Sequence, residues 1–215
     1  MEKHYDIKTQ LRNKFALHML RVDLPSDFVE TTNKYIDEEL IPFDENFGRV
    51  KGNSELEHSY SKGLVGQIRQ DKRSAQLDCK IFDTEGGKLL KSTLDSCSAE
   101  YLRQIGHGDS VPDVFEAWTV HSFAGDYNPL HDHGVRTDMG MSCILYLKVP
   151  PQIEKLPGSA EDFVKGGLKL NLNGASGSTD GFTFFSWGIN GSADIKRLKP
   201  VQESFVKPEV GKLLM

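Results

Sequence analysis

His131 and His133, separated by one residue, are the side chains whose types and spacing most directly point to chemistry. They follow Pro129 and precede Gly134, so the pair sits in a short segment bounded by chain-bending residues. Alternate residues of a β-strand face the same side, so both imidazoles would point at one position and Asp132 would point away. Imidazole is a good ligand for iron, zinc, copper and nickel. The pair therefore predicts a metal site, and the alternative is a solvated strand face or histidines bonded to backbone carbonyls.

Composition places the chain among soluble globular proteins. It has 215 residues, 38% hydrophobic and 27% charged, with a net charge of −5. This length suits one domain, and the charge balance gives no signal for nucleic acid. No apolar run is long enough to span a bilayer, and the first ten residues, MEKHYDIKTQ, lack the apolar core of a signal peptide. We expect a cytoplasmic protein with no membrane partner.

The three cysteines, Cys79, Cys97 and Cys143, are widely spaced. An odd number without close spacing argues against a disulfide framework or a structural zinc cluster, and it favours a reducing compartment. Cys143 lies just after the histidine pair, and no base is evident beside it. We predict that Cys143 is a buried free thiol and not a nucleophile.

The N-terminal half predicts helices. Apolar residues between positions 6 and 24 have no clear period, so helix and strand stay open there. Ser26 and Asp27 read as a capped helix start, and Pro42 as its end. Its predicted apolar face comprises Phe28, Tyr35, Ile36 and Leu40. Positions 43–63 read as loop and 63–70 as a strand. Apolar residues from Leu90 to Ile105 recur at steps of three and four, which predicts an amphipathic helix ended by Gly106-His107-Gly108.

The C-terminal half predicts strands. Positions 114–123 read as a strand with Thr119 and His121 on one side and Trp118 on the other. Short apolar runs divided by glycine and proline follow. Helices first and strands afterwards indicate an α+β fold, and the strand spacing is typical of a jelly roll or barrel-like sandwich. The predicted strands after the histidine pair are 141–149, 166–174, 181–188, 203–208 and 211–215.

Three sequence features resemble one family. Gly125 stands six positions before His131, and the strand that follows the pair ends in Tyr146-Leu147. A paired glycine, Gly166-Gly167, precedes a core strand, and the run 206–214, VKPEVGKLL, makes a proline–glycine turn into a strand. These features resemble the 2-oxoglutarate- and Fe(II)-dependent oxygenases, in particular the prolyl 4-hydroxylase-like group and the oxygenases of marine bacteriophages.

The resemblance implies a double-stranded β-helix with flanking N-terminal helices. The single domain 1–215 would then hold a helix-rich support region over 1–110 and a β-helix core over 111–215 that lacks the last strands. The family binds 2-oxoglutarate to Fe(II), activates O2 and hydroxylates a C–H bond, so these three are the implied cofactors, with ascorbate as an optional addition. His131 and His133 would bind the metal, and Asn128 and Tyr146 would bind the cosubstrate. No catalytic residue beyond the metal ligands is implied, and a prolyl side chain in a protein or peptide is the class-level substrate.

Two departures from the family pattern concern the metal. The family motif is usually His-x-Asp, whereas His133 occupies the last position here, so Asp132 or Asp138 would have to supply a carboxylate. The family's distal histidine has no counterpart, because no histidine follows His133. A β-helix without its last strands would also expose a strand edge, which favours a homo-oligomer.

Two other interpretations stay open. The segment from Gly125 through His131 and His133 to Asp138 also resembles the first cupin motif, with Asp138 where a glutamate is usual. That resemblance implies a cupin-type metal protein with two histidines and one carboxylate. The third interpretation is a non-catalytic jelly-roll interaction module in which the histidine pair is structural.

Overall fold

The computed structural model describes most of the helical region and the ends of the β-rich region. Three predicted segments, the loop 43–63 and the strands 63–70 and 166–174, lie outside the described residues. The described residues are 8–14, 17–42, 76–122, 126, 128, 131, 140–155, 181–187 and 202–215.

Contacts divide the chain into two compact units. The first comprises Met1–Leu145 with Leu213–Met215, and the second comprises Tyr146–Lys212. Mixed helices and small antiparallel sheets make up the described parts of both. No helix in the described ranges is long and apolar enough to cross a membrane.

A β-hairpin, and not a helix, begins the described chain. Strand β1 (Lys8–Lys14) pairs antiparallel with β2 (Leu17–Asp23). In β2, Leu20 and Val22 are fully buried while Asp23 is exposed, the alternation of a half-buried strand. The hairpin resolves the ambiguity of positions 6–24, and it shows that the predicted order of helices before strands is wrong.

The hairpin belongs to a four-stranded sheet ordered β1-β2-β6-β3. Strand β3 (Ile144–Leu145) pairs antiparallel with β6 (Lys212–Leu214), with Ile144 opposite Leu214 and Leu145 opposite Leu213. On the other side of β6, Leu20 and Met215 exchange backbone hydrogen bonds of 2.8 and 3.0 Å. That reciprocal pattern is the hydrogen-bonded pair of an antiparallel ladder. The predicted strand 211–215 is therefore confirmed, and β6 lies inside the sheet.

Helix α1 (Ser26–Tyr35) continues into a π-helical turn, Ile36–Leu40. The predicted apolar face is confirmed, because Phe28, Tyr35, Ile36 and Leu40 are all buried. The predicted side-chain cap is wrong: the N-cap residue is Pro25, which has no side-chain cap hydrogen bond. Instead, Asp27 Oδ1 accepts the backbone N–H of Phe28 at 3.0 Å.

Helix α2 (Glu85–Gln104) matches the predicted amphipathic helix. Its N-cap Thr84 accepts the N–H of Gly87 at 3.1 Å, and Tyr35 Oη lies 2.6 Å from the same threonine hydroxyl. Gly106 has a φ of 87°, and the N–H of His107 donates to the carbonyl of Leu102 at 2.8 Å. A glycine in left-handed conformation closing the last turn is the expected helix end.

Two predicted strands are shorter than expected. Within the described part of 114–123, only Trp118 forms a bridge, and its partner is Asp78. The reason is that the segment around Asp78 pairs over only a few residues. Two backbone hydrogen bonds flank the bridge: the N–H of Cys79 donates to the carbonyl of Ala117, and the N–H of Thr119 donates to the carbonyl of Leu77. The predicted strand 141–149 narrows to β3, because the partner β6 has only three residues.

The second unit contains the remaining elements. After Pro150 comes a single helical turn, α3 (Pro151–Glu154), which follows the end of the predicted strand 141–149. Strand β4 (Thr183–Trp187) pairs antiparallel with β5 (Gln202–Val206), and the Phe184 and Phe205 rings lie 4.8 Å apart. The predicted strands 181–188 and 203–208 are thereby confirmed with slightly different ends.

Candidate metal and cosubstrate site

The histidine pair is described only in part. His131 lies in non-repetitive backbone with an exposed side chain, and Asn128 is also exposed. His133, Asp132 and Asp138 lie outside the described residues, so the shared strand face of the pair stays a prediction. Among the residues that the structure describes, no group of three histidine, cysteine, aspartate or glutamate side chains could hold a metal ion.

The extended segment before the histidine pair has a defined side-chain arrangement. Thr119 and His121 are two residues apart, and Thr119 Oγ1 lies 2.9 Å from His121 Nε2. This contact agrees with the predicted placement of both side chains on one side of an extended chain. Thr119 Oγ1 also accepts the N–H of Leu77 at 3.2 Å. The contacts hold the half-buried His121 ring in place, ten residues before His131 in the sequence.

Backbone pairing fixes the position of Tyr146. The N–H of Tyr146 donates to the carbonyl of Lys212 at 3.0 Å, and the Tyr146 carbonyl accepts the N–H of Gly211 at 2.8 Å. Gly211 has a φ of 81°, which a glycine adopts without steric cost. Because Tyr146 directly follows Leu145, strand alternation directs its side chain away from the face that carries Leu145. Register thus decides which side of the sheet the phenol occupies.

The Tyr146 hydroxyl pairs with a hydroxyl that the sequence did not single out. Tyr146 Oη lies 2.5 Å from Thr183 Oγ1 at the start of β4. Burial raises the pKa of Tyr146 to about 12, and the hydrogen bond with Thr183 lowers it by less. The phenol therefore stays protonated at neutral pH and can donate to an anionic oxygen. One hydroxyl of the pair donates to the other, so the pair has one proton left to donate to a carboxylate oxygen.

Comparisons of the chain with protein-family models, curated proteins and solved structures find no match.

A buried lysine lies next in sequence to the register partner of Thr183. Lys207 follows Val206, the register partner of Thr183, and is 6% exposed. Its ammonium donates to the carbonyl of Glu154 at 3.1 Å, at the end of α3. A cation at the carbonyl end of a helix is favourable, so this contact has a structural role. No local sequence pattern identifies Thr183 or Lys207, because their respective partners, Tyr146 and Glu154, are distant in sequence.

The cysteines differ from the prediction at one position. Cys143 is exposed, whereas Cys79 and Cys97 are buried, so the predicted burial of Cys143 is wrong. Cys143 directly precedes β3, which is the outer strand of the sheet that the described residues form. Burial raises the pKa of Cys79 to about 12, which makes that thiol a poor nucleophile at neutral pH.

Proposed function

We propose that this chain is a 2-oxoglutarate- and Fe(II)-dependent dioxygenase built on a double-stranded β-helix. The observation that carries the proposal is the nesting of two strand pairs: β3 pairs with β6, and β4 pairs with β5 between them in sequence. A jelly roll arises when a long antiparallel hairpin is wound so that its outer and inner pairs enter different sheets. Here the two pairs do belong to separate sheets.

The donor chemistry fits the proposed metal. His131 and His133 supply two imidazoles, and Asp132 or Asp138 supplies the carboxylate of the two-histidine, one-carboxylate set that suits non-haem Fe(II). His131 is exposed and lies shortly before β3 in the sequence. Bound iron would supply the oxidising chemistry with O2 and 2-oxoglutarate. The protein would orient the reactants and exclude water.

Tyr146 and Thr183 support the cosubstrate assignment. 2-Oxoglutarate carries two carboxylates, and one of them must be held away from the metal. The hydrogen-bonded hydroxyl pair has one neutral O–H left to donate to that carboxylate, and the raised pKa of Tyr146 keeps the phenol protonated. Asn128 is exposed three residues before His131 and is the second candidate contact. The substrate is proposed only as a class, a C–H bond such as that of a prolyl residue in a protein or peptide.

Anaerobic loading with Fe(II) followed by 2-oxoglutarate tests this proposal. We expect a visible charge-transfer absorption band in the wild-type protein and its loss in His131→Ala. His107→Ala is the matched control, because His107 is an exposed histidine in the turn after α2 and should leave the band intact. Tyr146→Phe should weaken 2-oxoglutarate binding by about tenfold, the equivalent of one lost hydrogen bond.

The outcomes separate the alternatives. Metal binding without the band would overturn the oxygenase assignment and favour the cupin-type protein. Absence of metal binding by the folded chain would overturn both the oxygenase and the cupin-type assignments and would favour the non-catalytic interaction module. A band that persists in His131→Ala would show that the iron is bound elsewhere.

A further inference from the structure

The segment that follows the turn after α2 has an outward side. Val111, Asp113 and Phe115 are exposed, whereas Pro112 and Val114 between them are half-buried. Exposure that alternates with a period of two is the pattern of an extended chain with one side against the protein. Val111 is 91% exposed and Phe115 is 52% exposed, so apolar side chains flank the Asp113 carboxylate on the outward side.

Lys91 of α2 brings Phe82 to the same place. The Lys91 ammonium lies 2.7 Å from Asp113 Oδ1 and 5.6 Å from the centre of the Phe82 ring. Asp95 fixes this arrangement, because it accepts both the Lys91 ammonium at 2.9 Å and the N–H of Val114 at 2.8 Å. Phe82 is nevertheless 56% exposed, so its ring is available to a partner.

A backbone hydrogen bond anchors the segment again after Phe115. The N–H of Cys79, three residues before Phe82, donates to the carbonyl of Ala117 at 2.9 Å. Phe115 thus lies between a residue bonded to α2 and a residue bonded to the chain that leads to Phe82. Four exposed side chains therefore form one surface, here called the 82–115 surface: Phe82, Val111, Asp113 and Phe115.

The 82–115 surface has a negative charge. Asp83 follows Phe82 directly and is exposed, and Asp109 is exposed two residues before Val111. Asp95 and Asp113 share a single ammonium, that of Lys91. The other two lysines between positions 80 and 91 are each paired with a carboxylate outside this group. Four carboxylates thus stand against one cation, which favours a basic partner and repels phosphate groups.

We propose that the 82–115 surface binds an extended, basic and apolar segment of a partner protein. An arginine of the partner would lie against the Phe82 and Phe115 rings and donate to Asp113, while an apolar neighbour would cover Val111. A guanidinium both stacks on aromatic rings and donates to carboxylates, and a carboxylate can accept about four hydrogen bonds. This inference does not depend on the proposed oxygenase function.

The exposed apolar area fits such a contact. Two half-exposed phenylalanine side chains present roughly 200 Å² together. Val111 extends this area toward the few hundred Å² at which an apolar patch on a protein surface is often functional. The rings and the carboxylate are also held in place before binding, because Lys91 and Asp95 connect them to α2.

Fluorescence anisotropy of the full chain with the labelled peptide RLRFRLR tests the proposal. We expect saturable binding that weakens as salt is added, because exposed ion pairs are screened. The peptide ELEFELE keeps the apolar residues and reverses the charge, and it should not bind. The peptide RSRSRSR keeps the charge and removes the apolar residues, and it should bind about tenfold more weakly.

Three variants change the surface one group at a time. Phe82→Ala and Phe115→Ala should each raise the Kd for RLRFRLR about fivefold, because each removes one cation–π contact. Asp113→Asn should raise that Kd about threefold, the effect of one exposed ion pair. All three replace exposed side chains, so the variants should fold, and an unchanged circular dichroism spectrum checks this.

Two matched control variants remove the same kinds of group elsewhere. Val210→Ala truncates an exposed apolar side chain of the second unit, and Glu30→Gln removes an exposed carboxylate of α1. Both should leave the Kd for RLRFRLR unchanged. An equal loss in Glu30→Gln and Asp113→Asn would overturn the proposal, because it would show attraction by the net charge of −5 alone.

Three other results would also overturn the proposal. They are undetectable binding of RLRFRLR by the folded chain, equal binding of RLRFRLR and RSRSRSR, and a dimer of the free chain in sedimentation that Phe82→Ala dissociates. The last result would assign the surface to a second copy of this chain. The measurements use no iron and no 2-oxoglutarate, so their failure is distinguishable from failure of the proposed function.

Discussion

Replacement of Gly87 by alanine should destabilise the protein strongly, although glycine-to-alanine changes inside helices usually stabilise. Gly87 lies in the first turn of α2, and a Cβ there would lie 2.1 Å from the carbonyl oxygen of Lys80 and 2.5 Å from its carbon. That carbonyl cannot retreat easily, because it accepts the N–H groups of Asp83 and Thr84 at 3.0 and 3.2 Å. Lys80 itself has a φ of 49°, with its N–H bound by Asp78.

The magnitude follows from the contacts that must move. Overpacking against fixed atoms costs up to about 3 kcal/mol. A shift of the helix start would also weaken the Thr84 cap, which costs about 1 kcal/mol. The same shift would weaken the hydrogen bonds of Tyr35 to Cys79 O and Thr84 Oγ1, which costs about 1 kcal/mol more. The higher helix propensity of alanine offsets about 1 kcal/mol of this loss. The free energy of unfolding should therefore fall by about 4 kcal/mol.

Urea denaturation measures this change as a lower midpoint at an unchanged slope. Gly108→Ala is the matched control, because a Cβ there meets nothing closer than Arg103 Cα at 3.8 Å, an ordinary contact. We expect the control to match the wild type or exceed it by up to about 1 kcal/mol. If Gly87→Ala were as stable as Gly108→Ala, the tight approach of Lys80 to the helix start would be refuted.

Two further predictions concern charged groups on α2. Asp95 accepts the N–H of Val114 at 2.8 Å and the Lys91 ammonium at 2.9 Å. Asp95→Ala should therefore lower the free energy of unfolding by about 2 kcal/mol and remove the hydrogen-exchange protection of the Val114 amide. Retained protection of that amide would contradict this role. Hydrogen bonds from Arg103 lower the pKa of Glu100 from 4.5 to about 2. The ion pair therefore contributes its full stabilisation above pH 4.5 and loses it as the pH falls toward 2. Glu100→Gln should remove this part of the pH dependence of the unfolding free energy, which amounts to less than about 1 kcal/mol over that range, because the pair is partly exposed.

Local patterns predicted the elements whose causes are local. The spacing of Leu90, Leu94 and Cys97 marks the buried face of α2, and Gly106 marks its end, because helix periodicity and capping depend on residues within one or two turns. The hairpin β1–β2 could not be assigned in the same way. Its strand character depends on burial against elements far away in the sequence, as Leu20 shows through its pairing with Met215.

The candidate site illustrates the same limit. The histidine spacing predicts a metal site, and the family resemblance named Tyr146 as a cosubstrate contact without fixing how its strand pairs. The register came from backbone pairing with Lys212 and Gly211, and the hydroxyl partner Thr183 is brought close by tertiary structure alone. The exposure of Cys143 likewise depends on the position of β3 within the sheet, which no local pattern contains.

Strand β6 gives the fold a particular order of assembly. It lies between β2 and β3, so the N-terminal hairpin and the strand after the histidine pair become neighbours in the sheet only when β6 has inserted between them. A ribosome makes β2 nearly two hundred residues before it makes β6. Contacts so distant in sequence slow folding, and β2 presents an open edge during synthesis. The nascent chain should therefore depend on chaperones until its last described strand has emerged.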